Sequence, residues 1–315
     1  MFTFATTPED EETRFVVFGV LLEEFNFCAA SGRLQRFETV IAAYVLLSNG
    51  KYIASQGVDS FMSALCPTLS PEIFEHGLKF IVTSLEHANA DECSALPATL
   101  RQVDVSGVWL FIAKICAGAE SHNPTTSVEV FHCIVSITTA LVRLRRDLVL
   151  LTIPHLGIVL RRLIQSMQSP RPSLGPKQSA LVSRSLPFWI NIRDPLGVEE
   201  SNALSRLLES LNTKNVVRKL TTSTTTPSKA ESLAKPFSKH AAYVIKAYVE
   251  SLNNPLCELS TAVRKELQPG LYALCGMMND FSRDTLMASA TDAGEKAIVK
   301  ALWREYEKQR YVGKG

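Results

Sequence analysis

Apolar residues recur at intervals of three and four along almost the whole chain, and this helical period constrains the fold most. Leu34, Phe37, Ile41 and Tyr44 fall on one face of a helix. The same spacing returns over residues 153–168, where Arg161 and Arg162 fall off the apolar stripe and are expected to face solvent. Strand-like alternation is almost missing. The pattern predicts an all-α protein with no strands.

The predicted helices have similar lengths and short connections, with most prolines between them. Many antiparallel helices without a heptad bundle favour an irregular α-solenoid of the HEAT or armadillo kind, with an ordinary multi-helix globule as the alternative. The helices are predicted at residues 11–28, 33–48, 57–65, 71–88, 97–117, 126–147, 153–168, 177–193, 198–212, 237–253, 256–267, 269–279, 282–289 and 293–311.

One segment departs from the helical pattern. Residues 221–229 read Thr-Thr-Ser-Thr-Thr-Thr-Pro-Ser-Lys and follow a short basic run. So few apolar side chains cannot offset the entropy of ordering, which predicts a loop. We therefore expect an N-terminal helical array at 1–212, a basic Ser/Thr-rich flexible loop at 213–235 and a C-terminal helical unit at 236–315.

Signatures of catalysis and of metal binding are missing from the sequence. There is no phosphate-binding glycine loop, no nucleophile elbow and no His-Glu-x-x-His motif, and the six histidines are scattered. The seven cysteines include no Cys-x-x-Cys pair and lie mostly in apolar runs, as reduced core thiols do. No apolar run reaches the ~20 residues that span a bilayer. We expect no enzymatic activity, no cofactor or metal, no small-molecule substrate, no membrane contact and an intracellular location.

Positive charge is concentrated in the middle of the chain. Residues 1–142 carry seven basic and sixteen acidic residues, whereas residues 143–193 carry nine basic residues and one acidic residue. Basic residues at a helix end also complement the helix dipole, which explains only part of the set. Dense arginines suit RNA phosphates or an acidic protein. The predicted RNA- or partner-binding residues are Arg143, Arg145, Arg146, Arg161, Arg162, Arg171 and Lys177.

Three motifs near the C-terminus resemble a known family. They are Leu-Gln-Pro-Gly-Leu-Tyr-Ala-Leu at 267–274, Thr-Leu-Met-Ala-Ser-Ala-Thr-Asp-Ala-Gly at 285–294 and Leu-Trp-Arg-Glu-Tyr at 302–306. Together they are similar to the C-terminal domain of the nucleolar pre-rRNA-processing family of unhealthy ribosome biogenesis protein two. The sequence departs from the family pattern at Cys275-Gly276 and at Met287-Ala288.

The resemblance implies a function that the residues alone do not reveal. It implies that the chain is the C-terminal part of a larger helical-repeat protein in the nucleolus. It also implies a scaffold role in early assembly of the large ribosomal subunit, alongside other assembly factors and pre-rRNA. The alternative function is a helical-repeat adaptor for peptide cargo in transport, which fits every feature except the C-terminal motifs.

Overall fold

A computed structural model describes residues 127–187, 189–216 and 230–312. It also describes single earlier residues: Val20, Glu23, Val105, Ser106, Val108, Trp109, Ile112, Ala113 and Cys116. The other residues of the helices predicted before residue 118 therefore lie outside the described residues. The chain divides into two compact units, Met1–Phe111 and Ile112–Gly315. The three longer described ranges all lie in the second unit.

The described part of this unit is built mainly from helices, as predicted. Each helix is numbered in chain order. They are α1 Ser127–Leu144, α2 Arg146–Leu151, α3 Ile153–Ser166, α4 Pro176–Ser185, α5 Val198–Ser210, α6 Ala234–Asn253, α7 Thr261–Met277, α8 Asp280–Ser289 and α9 Ala293–Val312.

Two short antiparallel strand pairs join segments that are distant in sequence. Strand β1 (Ser169–Pro170) pairs with β4 (Cys257–Glu258), and β2 (Asn215–Val216) pairs with β3 (Ala230–Glu231). No strand was predicted, because two residues are too few to show an alternating pattern.

The core of the unit lies around α6, which packs against α3, α7, α8 and α9. Helix α5 packs between α1 and α7. The apolar stripe predicted for α3 is buried, with its members at 2% exposure or less: Leu156, Val159, Leu160, Leu163, Ile164 and Met167. In a solenoid each repeat contacts only its neighbours. Here α3 reaches α6 across intervening elements, so these contacts do not confirm the solenoid prediction.

Two predicted helix boundaries are wrong, and proline explains both. The helices predicted at 256–267 and 269–279 form one helix, α7, with Pro269 inside it. The helix predicted at 177–193 ends at Ser185, because Leu186 precedes Pro187 and takes an extended conformation. A third boundary differs without proline: the helix predicted at 126–147 is interrupted at Arg145, where the backbone leaves the helical region.

The segment predicted as a loop begins and ends at one place in the unit. Residues 217–229 lie outside the described residues, but β2 and β3 pair on either side of them. The amide of Leu233 also donates a hydrogen bond to the carbonyl of Leu211 at 3.1 Å. Because α5 packs against α7 and α3 against α6, the helices before and after this segment form one packed body. The described helices on either side of the segment are therefore in contact, and the domain division at 213–235 stays a prediction.

Within the described ranges, no helix has the length and apolarity needed to cross a membrane. The same residues contain no group of three or more His, Cys, Asp or Glu side chains placed to hold a metal ion.

Candidate partner-binding surface

Helix α3 presents the clearest basic position of the predicted set. Arg162 is exposed, and its Nη1 donates to the Gln165 Oε1 at 3.3 Å along the same helix. Its charge also acts on the buried Cys116 thiol, opposing the burial that raises the pKa of that thiol to about 12. Among described residues no carboxylate forms an ion pair with Arg162. The charge of Arg162 is therefore available to a partner.

Arg161 is less accessible than its neighbour. The residue is half-buried, and its Nε is enclosed with no hydrogen-bond acceptor among the described residues. The expectation that both arginines of α3 face solvent therefore holds for Arg162 and only in part for Arg161. Helix geometry explains the difference, because successive residues are rotated by about 100° and only one of two neighbours can occupy the centre of the polar face.

Three arginines near the junction of α1 and α2 differ in burial. Arg143 is exposed in the last turn of α1, as the dipole argument predicts. Arg145 is half-buried and pairs with Asp147, through hydrogen bonds of 3.1 and 3.2 Å. This ion pair partly occupies the Arg145 charge.

Arg146 is not a surface residue, which corrects its assignment to the binding set. It is 2% exposed, and burial lowers the pKa of its guanidinium. Its Nε donates to the Val142 carbonyl at 3.3 Å, and its Nη1 donates to the Thr213 carbonyl at 2.8 Å. The side chain therefore links the end of α1 to the segment that follows α5. Its role is structural.

Arg171 and Lys177 form no described contact with Arg161 or Arg162 of α3. The Arg171 Nε donates to the Cys257 carbonyl at 3.0 Å, and its Nη2 donates to the Asn254 carbonyl at 3.3 Å. Arg171 therefore supports the β1–β4 pair. Lys177 is exposed in the first turn of α4. No described contact joins any two of the seven predicted residues, so the sequence located exposed charges without placing them in one cluster.

The C-terminal motifs form a packed unit of α7 and α9. Leu274 and Leu302 are buried, as expected for packing residues. The Tyr306 ring lies 6.2 Å from that of Tyr272 and 5.6 Å from that of Trp303. These half-buried rings hold the two helices together.

A groove with polar and apolar walls was not predicted from the sequence. It lies between α6, α7 and α9 and has a volume of about 460 Å³. Its basic wall comes from Arg264 and Lys265, which an overall charge count does not distinguish from ordinary surface residues. The available signal was the spacing of polar residues at 261, 264, 265 and 268 on one face of α7.

Comparison with known proteins agrees with the C-terminal motifs. Residues 84–314, well over half of the 315 residues, match the family model described as the Urb2/Npa2 family. No curated protein and no solved structure shows a significant match to the chain. The family match confirms the resemblance and extends it far beyond the three motifs. The chain belongs to the Urb2/Npa2 family, and this membership implies a role in ribosome biogenesis.

Proposed function

We propose that the protein is a non-catalytic scaffold in early nucleolar assembly of the large ribosomal subunit and in pre-rRNA processing. Family membership is the observation that carries this proposal, because the family is a nucleolar family of ribosome biogenesis. The partners are other large-subunit assembly factors and pre-rRNA. The helical character of the described residues and their lack of a metal-binding cluster are compatible with a scaffold.

The RNA-binding part of the proposal rests on two accessible arginines. Arg143 and Arg162 are both exposed, and neither pairs with a described carboxylate. A guanidinium offers several N–H donors in a planar fork that matches phosphate oxygens, and its charge is permanent. The half-buried Arg161 lies next to Arg162, and Lys177 adds another exposed positive charge on α4. Arg146 takes no part, because it is 2% exposed and its Nε and Nη1 donate to backbone carbonyls.

Charge reversal at the two accessible arginines tests the RNA-binding part. The double variant Arg143→Glu/Arg162→Glu should bind a single-stranded uridine oligonucleotide more weakly than the wild type. The log–log slope of affinity against salt should flatten by about 0.7 for each phosphate contact that is lost. Fluorescence anisotropy over a salt series measures both quantities. Circular dichroism should show unchanged helical content.

The matched control is Arg206→Glu, which reverses another exposed arginine on α5. It should leave RNA affinity and the salt slope close to the wild-type values. Equal effects of the control and the double variant would contradict a specific surface. If the double variant keeps its RNA affinity but the protein still co-purifies with large-subunit precursors, the scaffold role survives without RNA binding. If the wild type does not co-purify with large-subunit precursors, the scaffold role is wrong.

A further inference from the structure

The groove between α6, α7 and α9 is formed by matching faces of two helices. Helix α7 contributes residues 261, 264, 265 and 268, and α9 contributes residues 298, 301, 302 and 305. Both sets have the i, i+3, i+4, i+7 spacing of one helix face. Tyr248 and Leu252 of α6 also line the groove. The groove therefore belongs to the helical framework rather than to a loop.

Arg264 has a donor that the fold leaves unused. Its Nη2 donates to the Thr261 Oγ1 at 3.0 Å, but its Nε is enclosed and has no acceptor among the described residues. No described carboxylate forms an ion pair with it. A buried donor without an acceptor is costly, and a charged one more so. The Nη1 of the same guanidinium also has no acceptor among the described residues but is not enclosed, so this end of Arg264 can donate to an anionic ligand in the groove.

The remaining walls combine a second positive charge with apolar surface. Lys265 is exposed next to Arg264. The apolar lining includes Leu252, Ile298 and Leu302, the last only 6% exposed. Such a lining favours a ligand that carries an alkyl chain as well as a negative charge.

One acidic residue restricts which anionic ligands the groove can bind. Glu305 accepts hydrogen bonds from the Gln268 Nε2 at 3.3 Å and from the Tyr272 hydroxyl at 3.4 Å. Burial and the charge of Glu305 raise the pKa of Tyr272 to about 12. Glu305 is exposed and lines the groove, so its carboxylate would repel a second anionic group there.

We propose that this groove binds an acidic side chain of a protein partner, with its carboxylate on Arg264 and Lys265 and neighbouring apolar side chains on Leu252, Ile298 and Leu302. The groove carries two positive charges, Arg264 and Lys265, and one negative charge, Glu305. This balance suits a ligand with a single carboxylate flanked by aliphatic side chains. An RNA strand presents a series of phosphates and has no aliphatic side chain to fill the apolar wall. The site is distinct from the α3 arginines and does not depend on their binding RNA.

Binding of a defined peptide tests this proposal on the full chain. The probe is an N-acetylated, C-amidated peptide in which Leu and Glu alternate, carrying a fluorophore. Arg264→Met should weaken its binding by about tenfold to a hundredfold, since hydrogen bonds to charged groups contribute about 1.5–3 kcal/mol. Lys265→Gln, at an exposed position that does not threaten folding, should also weaken it. A peptide with Gln in place of Glu should bind no variant well.

Glu305→Gln gives a readout that a purely structural role would not produce. It removes the negative charge from the groove but keeps an amide oxygen as acceptor for Gln268 and Tyr272, so it should tighten binding of the Leu-Glu peptide. Lys300→Gln, an exposed residue of α9 outside the groove lining, is the matched control and should change nothing. The proposal fails if the wild type does not bind the peptide, or if neither Arg264→Met nor Lys265→Gln weakens binding. It also fails if a uridine oligonucleotide competes for the same site.

Discussion

The Gly270 amide donates a hydrogen bond to the Ser205 Oγ at 2.9 Å, at the point where α7 crosses α5. A Cβ atom added at Gly270 would lie 2.8 Å from the Ser205 Cα and 2.9 Å from its carbonyl oxygen. The two backbones therefore touch, and no side chain fits between them. Pro269 lacks an N–H group and directly precedes this contact, so α7 bonds to its neighbour where its own hydrogen-bond ladder is interrupted.

Gly270→Ala should therefore destabilise the protein. The added methyl group meets backbone atoms, which cannot move aside as a flexible side chain can, and overpacking of this kind costs about 1–3 kcal/mol. Urea unfolding followed by circular dichroism measures the loss. The control is Gly175→Ser, where an added Cβ meets nothing within 4 Å and serine suits the N-cap of α4. Equal stability of the Gly270→Ala variant and the wild type would contradict the close crossing.

Arg146→Met should also destabilise the protein, although it removes a charge from the interior. Methionine keeps the apolar stem but leaves the carbonyls of Val142 and Thr213 without this donor. An unsatisfied buried polar group costs about 1–3 kcal/mol. The unfolding midpoint in urea should fall accordingly. Arg143→Met, at the exposed position three residues earlier, should shift stability by no more than about 0.5 kcal/mol. If both variants unfold alike, the buried guanidinium does not support the fold.

Asp292 should make stability depend on acid pH. Its carboxylate accepts hydrogen bonds from the Glu295 amide at 2.7 Å and from the Asn253 side chain at 2.8 Å, and these bonds lower the pKa of Asp292 below its usual value of 3.8. A lowered folded-state pKa adds stability above the unfolded pKa, and this contribution is lost as the pH falls through the folded pKa.

Asp292→Asn provides the test, because asparagine keeps the N-cap but does not titrate. The difference in thermal midpoint between wild type and variant should be largest near pH ~6 and should shrink in acid as the wild-type carboxylate, whose pKa lies below 3.8, becomes protonated. Differential scanning fluorimetry over this range measures it. A difference that stays constant with pH would show that Asp292 acts only as a neutral cap.

Limited proteolysis should cut first within residues 221–229, because their composition favours a loop. The cut chain should nevertheless remain one particle, since α5 packs against α7 and α3 against α6 across the cut. Native gel filtration should show a single peak that separates into two fragments only under denaturing conditions. Separation in native buffer would mean that these interfaces are too weak to hold the unit together. A first cut elsewhere would contradict the loop prediction.

Periodicity predicted the helices well because it reports burial directly. The stripe of α3 was identified residue by residue, since a helix that packs on one side must repeat apolar residues every three to four positions. Pro269 was misread as a helix boundary for a specific reason. The amide of Gly270, next to it, is satisfied by the Ser205 Oγ, and no local pattern reveals a bond between residues 65 positions apart.

The candidate surface was harder to predict than the fold. Arg145, Arg146, Arg161 and Arg162 are chemically identical in the sequence, but one pairs with Asp147, one is buried, one is half-buried and one is exposed. The difference arises from packing partners such as Thr213, which no spacing rule identifies. Charge density therefore identified a basic region of the sequence but not which of its arginines are exposed, and binding by this region stays a prediction. Arg264 was missed because its unused donor is visible only in three dimensions.

The β2–β3 pair gives the protein a position that tolerates insertion. Val216 and Ala230, the described residues on either side of 217–229, are paired with each other. Closing a longer connection at a fixed base costs little, about 0.6 kcal/mol for each doubling of its length. An insertion between Val216 and Ala230 should therefore leave the helices unaltered. For the same reason, an affinity tag or a fluorescent protein inserted between these residues should leave both termini and every helix interface intact.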